Sequence, residues 1–197
     1  MDLSQGDAMD EQVQLIGEVE KRAITIVDYD EAWPGRFQVE RTRIDQALAN
    51  VPHRVVHVGS TAVRGLSAKP IVDLQLSVSE VEDEGSYLPA LETAGYVLRV
   101  RERGHRMLRT SAFDVQVHVC SIGSDWERRH VLFRDWLRES EADRNKYEDV
   151  KEELAKGEWA SMNHYADAKS GVIREITTRA EKWAATTGWT QANSTPN

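Results

Sequence analysis

From Val55 to Val78 the chain reads VVHVGSTAVRGLSAKPIVDLQLSV, two short apolar strands flanking a Gly59-Ser60 turn. In the second strand Val72, Leu74, Leu76 and Val78 share one parity, and Asp73, Gln75 and Ser77 share the other. Successive side chains in a strand point to opposite faces, so the apolar set is assigned to a core and the polar set to the other face. Phe113 to Cys120 repeats the pattern, with Val115, Val117 and Val119 opposed to Asp114, Gln116 and His118. If both strands lie over one core, six polar side chains line a single surface on which a cleft can form.

Residues 1–20 form an acidic extension, read as helical from Asp10 because Val13, Ile16 and Val19 have helical spacing. Ile24 to Val27 reads as a short strand or extended arm. Trp33, Phe37, Ile44 and Leu48 then mark one face of a helix entered at Pro34. A helix from Glu84 to Ala94 is stopped by Gly95 and leads to strands around Tyr96 to Val100 and His105 to Thr110. Ser124 caps a helix carrying Trp126, Phe133 and Leu137, and helices near Ala142 to Lys156 and His164 to Thr186 follow. The pattern gives a flexible extension (1–20), one domain (21–186) and a disordered tail rich in Thr, Asn and Gln (187–197). Strands come early and helices late, which predicts an α+β fold with a helical C-terminal half.

Composition adds constraints. The 197 residues, 40% hydrophobic with six tryptophans, suffice for one well-filled core. Cys120 is the only cysteine, so no internal disulfide exists, and its place on an apolar strand marks a buried structural thiol. No apolar run reaches 18 residues and Met1 to Asp10 is polar and acidic; a cytoplasmic protein without membrane association is expected. The net charge of -8 argues against nucleic acid as a partner. Against that background Arg99, Arg101, Arg103, Arg106 and Arg109 crowd into one segment. By parity, Arg101 and Arg103 either grip an anion with Arg99 or protect a solvated edge strand.

The candidate chemistry centres on the turn. Gly59 lets backbone approach a ligand, and Ser60 with Thr61 reads as the start of a short helix whose amides and dipole suit phosphate, or simply as a cap. Asp73 is a candidate ligand for Mg²⁺ or Mn²⁺, with Asp114 or His118 completing the shell. An i, i+2 carboxylate pair is the pattern of many transfer sites, and here the second position holds Gln75, a neutral and weaker donor. Gln116 shares the polar face, and Lys69 either meets the phosphate or stays solvated. His57 approaches the ligand or pairs with backbone. Arg134 and Lys169 face the site only if the helical half folds over the sheet. No histidine pair has zinc-site spacing.

Val27-Asp28-Tyr29-Asp30-Glu31-Ala32-Trp33-Pro34, His57-Val58-Gly59-Ser60-Thr61-Ala62-Val63, Gly65-Leu66, Lys69-Pro70-Ile71-Val72-Asp73-Leu74 and Phe133-Arg134-Asp135-Trp136-Leu137-Arg138 together resemble the GrpB family, from about Ile24 to about Trp183. The resemblance implies a nucleotidyltransferase-like fold, a mixed sheet with flanking helices in which the Gly-Ser turn and the following acidic strand bound a nucleotide and metal site. It also implies a cytoplasmic bacterial protein, with relatives fused to dephospho-coenzyme A kinase. The chain itself contains no G-x-x-x-x-G-K-[ST] loop. Gln75 departs from the carboxylate pair of active nucleotidyltransferases, so two readings follow. One is a metal-dependent nucleotidyl or phosphoryl transferase using Asp73, Asp114 and His118, acting on a nucleoside triphosphate and a small acceptor. The other is a non-catalytic nucleotide or small-anion binding module, accessory to coenzyme A metabolism.

Overall fold

The computed structural model of the chain describes residues 13–18 and 23–194. Six strands form one mixed sheet: β1 (Gln14–Leu15), β2 (His53–Val58), β3 (Val72–Val78), β4 (Tyr96–Glu102), β5 (His105–Thr110) and β6 (Val115–Ser121). Their spatial order is β1-β4-β5-β6-β3-β2, with β3 and β6 parallel and the other neighbours antiparallel. The parallel register sets Asp73 opposite Gln116 and Gln75 opposite His118. The parity read from the sequence therefore places the polar positions of both strands on one face.

The apolar face packs beneath α1 (Trp33–Ala47) and α2 (Leu88–Thr93). Trp33, Phe37, Ile44 and Leu48 press on Val72, Leu74, Leu76, Val117 and Val119 in one continuous core. Truncating one of its buried leucines costs about 2–5 kcal/mol, through lost burial and the cavity left behind. The opposite face is covered by α3 (Asp125–Glu139), α4 (Glu141–Ala155), α5 (Met162–Ala168) and α6 (Ser170–Thr187). Val63, Leu66, Leu137, Tyr147 and Ile176 join the loop after β2 to this helical layer. Ser124 and Ser140 cap α3 and α4, accepting from the Glu127 and Asp143 backbone N–H groups.

Several elements differ from the sequence pattern. Gln14–Leu15 is extended, not helical, because it adds to the open edge of β4, with Gln14 opposite Arg101 and Leu15 opposite Val100. Asp10 and Val19 lie outside the described residues. The expected helix at 84–94 is a single 3₁₀ turn (Glu84–Ser86) followed by α2, since Pro89 is accommodated only in a first helical turn. The long C-terminal helix is interrupted at Lys169, between α5 and α6. Beyond it, the start of the expected tail is docked. The Trp189 indole donates to Asp135 at 3.0 Å, and Arg134 donates to Ser194 Oγ at 2.6 Å. Residues 195–197 lie outside the described residues.

Gly59 fixes how closely β2 and β3 converge at their open end. Its φ of 70° and ψ of -171° belong to a region adopted by glycine alone, and an added Cβ would lie 2.5 Å from Asp73 Oδ2. Gly59→Ala is therefore expected to cost about 1–3 kcal/mol for the backbone conformation, plus the clash with the carboxylate. Chemical denaturation checks this. In an Asp73→Ala background the same change should cost less, and an equal cost in both backgrounds would contradict the steric account.

Candidate functional site

Between the polar face of the sheet and the helical layer lies a cavity of 620 Å³. Gly59, Ser60, Thr61, Lys69, Asp73, Gln116 and His118, all singled out from the sequence, line it. The helical half does fold over the sheet. It contributes Tyr147 and Lys151 from α4, Tyr165 from α5, and Lys169 from the break before α6. Val13 and Leu15 of the N-terminal segment close the side near β4.

The expected helix at Ser60 is one 3₁₀ turn, Ser60–Ala62, without a side-chain cap. So short a turn has little dipole to offer an anion, and the positive charge of the site comes from lysines instead. Lys151, 3% exposed, donates to Ser60 Oγ at 3.3 Å and to the Ser67 carbonyl. Its neighbour Glu148 accepts from the Ser67 N–H at 2.7 Å, so α4 clamps the loop that follows the turn. Burial first, and then the charge of Lys169, push the Lys151 ammonium down to about 7; Glu148 and Glu152 act against this and Lys69 adds to it. Lys69 and Lys169 lie over the Tyr165 ring, 5.3 and 4.9 Å from its centroid. The buried Tyr165 hydroxyl has no hydrogen-bond partner among the described residues.

Asp73 keeps 27% of its side-chain surface open, with Oδ1 3.7 Å from His118 Nε2. Burial works to raise its carboxyl. The contact and charge of His118, with the charges of Lys69 and Lys169, outweigh that and hold it below the usual range. A relay of side chains stands behind His118. Glu102 Oε1 accepts from His105 Nδ1 at 2.7 Å, and His105 Nε2 meets His118 Nδ1 at 3.0 Å. Burial and the neighbouring histidines push His105 down to about 2, so it is neutral. With its Nδ1 proton given to Glu102, its Nε2 must accept from His118 Nδ1–H, which leaves His118 Nε2 as the nitrogen turned toward Asp73. His105 also stacks on Trp126, with ring centroids 4.3 Å apart.

Other residues marked in the sequence lie elsewhere. Gln75 is fully buried beneath α3, its Nε2 donating to the Glu127 carbonyl at 3.2 Å and its Oε1 accepting from His130 Nδ1 at 3.0 Å. Asp114 sits just before β6 and is absent from the cavity lining; it accepts from Arg36 at 2.8 Å and from Thr110 at 2.7 Å. Arg101 and Arg103 are also apart from the cavity. A bulge between Leu98 and Val100 flips the parity of β4, so Val100 faces the cavity while Arg101 pairs with Glu84 at 2.6 Å. Arg103 is exposed on the turn that follows β4. His57 bonds Thr61 Oγ1 at 2.9 Å and stacks on Phe37. Arg134 reaches the His57 carbonyl and Asp135, not the cavity. Cys120 is buried, its thiol pushed up to about 11 by burial.

The residues present do not fit a metal centre held by paired carboxylates. Asp73 is the one expected carboxylate ligand on the cavity, Gln75 and Asp114 are committed within the fold, and no group of three His, Cys, Asp or Glu side chains among the described residues is arranged to hold a cation. Sequence reasoning missed Lys151, Tyr147, Tyr165, His105 and Glu102. Tyr147 and Lys151 carried a usable signal, since their i, i+4 spacing puts them on one helix face.

Fold and cavity together define a mixed α+β domain with a lysine-lined cleft between its sheet and its helical layer. The chain belongs to the GrpB family, whose model, described as GrpB protein, matches residues 23–179. A UPF0157 protein of Halalkalibacterium halodurans is 44% identical over 178 residues, covering 87% of this chain and 91% of that protein. The crystal structure of conserved protein GrpB from Enterococcus faecalis superposes with a TM-score of 0.70 at 30% identity, covering 80% of this chain and 98% of that one. A dephospho-CoA kinase of Mycobacterium leprae is 27% identical over 196 residues, covering 83% of this chain and 48% of the kinase. Among the described residues no helix is long and apolar enough to cross a membrane.

Burial gives the cluster a pH signature. His57, His105 and His130 are lowered from 6.5 to about 3, 2 and 3, so the unfolded chain binds more protons than the folded one below pH 6.5, and stability should fall as pH drops through that window. Lys151, lowered from 10.5 to about 7, gives the same sign at higher pH: stability should keep rising from pH 7 toward about 9, above which the buried tyrosines, raised from 10.0, act in the opposite sense. Melting temperatures across this range should show both limbs, with Lys151→Met flattening the upper one and leaving the part that Lys169, also lowered by burial, supplies. A wild-type curve flat above pH 7 would contradict the buried ammonium.

Proposed function

We propose that this protein binds a phosphate-bearing small molecule, with nucleoside triphosphates the leading class, in the cavity between its sheet and its helical layer. The observation that carries the reading is the convergence of the Gly59-Ser60 turn with Lys69, Lys151 and Lys169 on one cavity. The Lys151 ammonium, lowered by burial and then by the charges of Lys169 and Lys69, is relieved by an anion, and lysine acts on phosphate as a compact point charge. Ser60 adds a hydroxyl beside Lys151. The similarity to a dephospho-CoA kinase makes adenine-bearing coenzyme A precursors reasonable members of the ligand panel, and fits the role of an accessory module.

The second reading, nucleotidyl or phosphoryl transfer to a small acceptor, is favoured by the Asp73–His118 contact. In this reading the Asp73 carboxylate takes the proton of the acceptor hydroxyl as its oxygen attacks the α-phosphorus, the bond to the bridging oxygen breaks and pyrophosphate leaves, while His118 Nε2 beside Asp73 positions the acceptor. Glu102 and His105 orient the imidazole, and the lysines neutralise the leaving group. A Mg²⁺ or Mn²⁺ cofactor belongs to this reading alone, and no step here is drawn through it.

Thermal melting with ATP, GTP, CTP, UTP and dephospho-CoA, with pyrophosphate release followed in parallel, tests both. A ligand at 100 times its Kd should stabilise the fold by about 2.7 kcal/mol. Release that is lost in both Asp73→Ala and His118→Ala supports transfer, whereas stabilisation without release supports binding alone. No stabilisation by any of the five contradicts both readings.

A further inference from the structure

We propose that the site takes its polyphosphate as the metal-free anion, with Lys69, Lys151 and Lys169 supplying the neutralisation that a divalent cation usually brings. This rests on the cavity being a phosphate site, and extends that reading to the form of the ligand.

Two independent features of the cavity point the same way. The first is the donor set. A Mg²⁺ ion is normally anchored by one or two carboxylates together with phosphate oxygens, and its octahedral demands are strict. The polar face of β3 and β6 has room for such a set, yet it is spent otherwise. Gln75 replaces the second strand carboxylate, and its amide is consumed at both ends by Glu127 and His130. The Asp114 carboxylate is pulled toward α1 by Arg36. Asp73 remains, with an imidazole beside it. Imidazole is a ligand for softer transition metals, not for Mg²⁺.

The second feature is where positive charge has been placed. The three lysines come from three elements: the loop before β3, the middle of α4, and the break between α5 and α6. Lys151 is nearly inaccessible, held by Ser60 and Ser67. Lys69 and Lys169 lie over the Tyr165 ring on the same cavity, and the charge of each acts on both Lys151 and Asp73. The other carboxylates on the lining are Glu102, bonded to His105, and Asp167. A divalent cation beside Asp73 would sit in the field of these ammonium groups, whereas a triphosphate carries several negative charges to meet them. Burying an ammonium is costly unless it acquires an anionic partner, and the phosphate oxygens are that partner here.

Isothermal titration of the full chain with ATP and with inorganic triphosphate, in EDTA and again in excess Mg²⁺, tests the inference. Affinity in EDTA should equal or exceed that in Mg²⁺, and Lys151→Met should weaken metal-free binding about tenfold. Lys69→Met and Lys169→Met, at less buried positions, should each weaken it several-fold and guard against a folding effect at Lys151. Binding that appears only with Mg²⁺, or tightens tenfold on adding it, would overturn the metal-free form while leaving the phosphate site intact. Lysine variants that bind as well as the parent would overturn it too. Absence of binding in both conditions would overturn the phosphate site itself, and this inference with it.

Discussion

The parallel pairing of β3 with β6 is the constraint on which the rest of the molecule depends. It puts Val72, Leu74 and Leu76 beside Val115, Val117 and Val119 on one face, and so commits the other face to Asp73, Gln116 and His118. A slip of one residue would exchange the faces and bury the carboxylate in the valine core, so the same burial that stabilises the sheet fixes the site. Gly59 completes the arrangement, because only a residue without Cβ allows β2 to turn within contact distance of Asp73.

The helical layer converts a polar sheet face into a cleft. Its own packing is anchored by Leu137, Tyr147 and Ile176 against Val63 and Leu66, the residues that follow the turn. That contact carries Lys151 over Ser60 and brings the α5–α6 break, with Lys169, above the carboxylate. Core and site are therefore not separable here. The loop that presents Ser60 is held by hydrophobic side chains on one flank and by a lysine and a glutamate of α4 on the other.

What could be read in the sequence was what depends on local period. The strand parity of Val72 to Val78 and Val115 to Val119, the stripe of α1, and the Ser124 cap follow from neighbours a few residues apart. Asp73, His118, Gln116 and Lys69 were visible as cavity residues because two adjacent strands and their flanking turn suffice to place them. Asp114 was misplaced for a local reason. It lies one residue before β6, next to Phe113 with its φ of 61°, so strand parity does not extend to it. Arg101 was misplaced because a single bulge reverses the parity of β4, which no periodicity count detects. Tyr165 was hidden, and Tyr147 and Lys151 showed no more than a shared helix face, because their role depends on helices folding back over a sheet whose last strand ends at Ser121. The edge pairing of Gln14–Leu15 was hidden for a related reason, since three apolar residues at helical spacing cannot reveal an open strand edge elsewhere.

In the function proposed above, a phosphate group binds between the turn after β2 and the lysines of the helical layer. A crystal structure of the protein grown with ATP measures this most directly. Phosphate density is expected in contact with Ser60 Oγ and the Lys151 ammonium, with Asp73 and His118 beside it. Phosphate density seated instead on Arg101, Arg103 and Arg106 around the β4–β5 hairpin, with the cavity between sheet and helices holding only water, would contradict this.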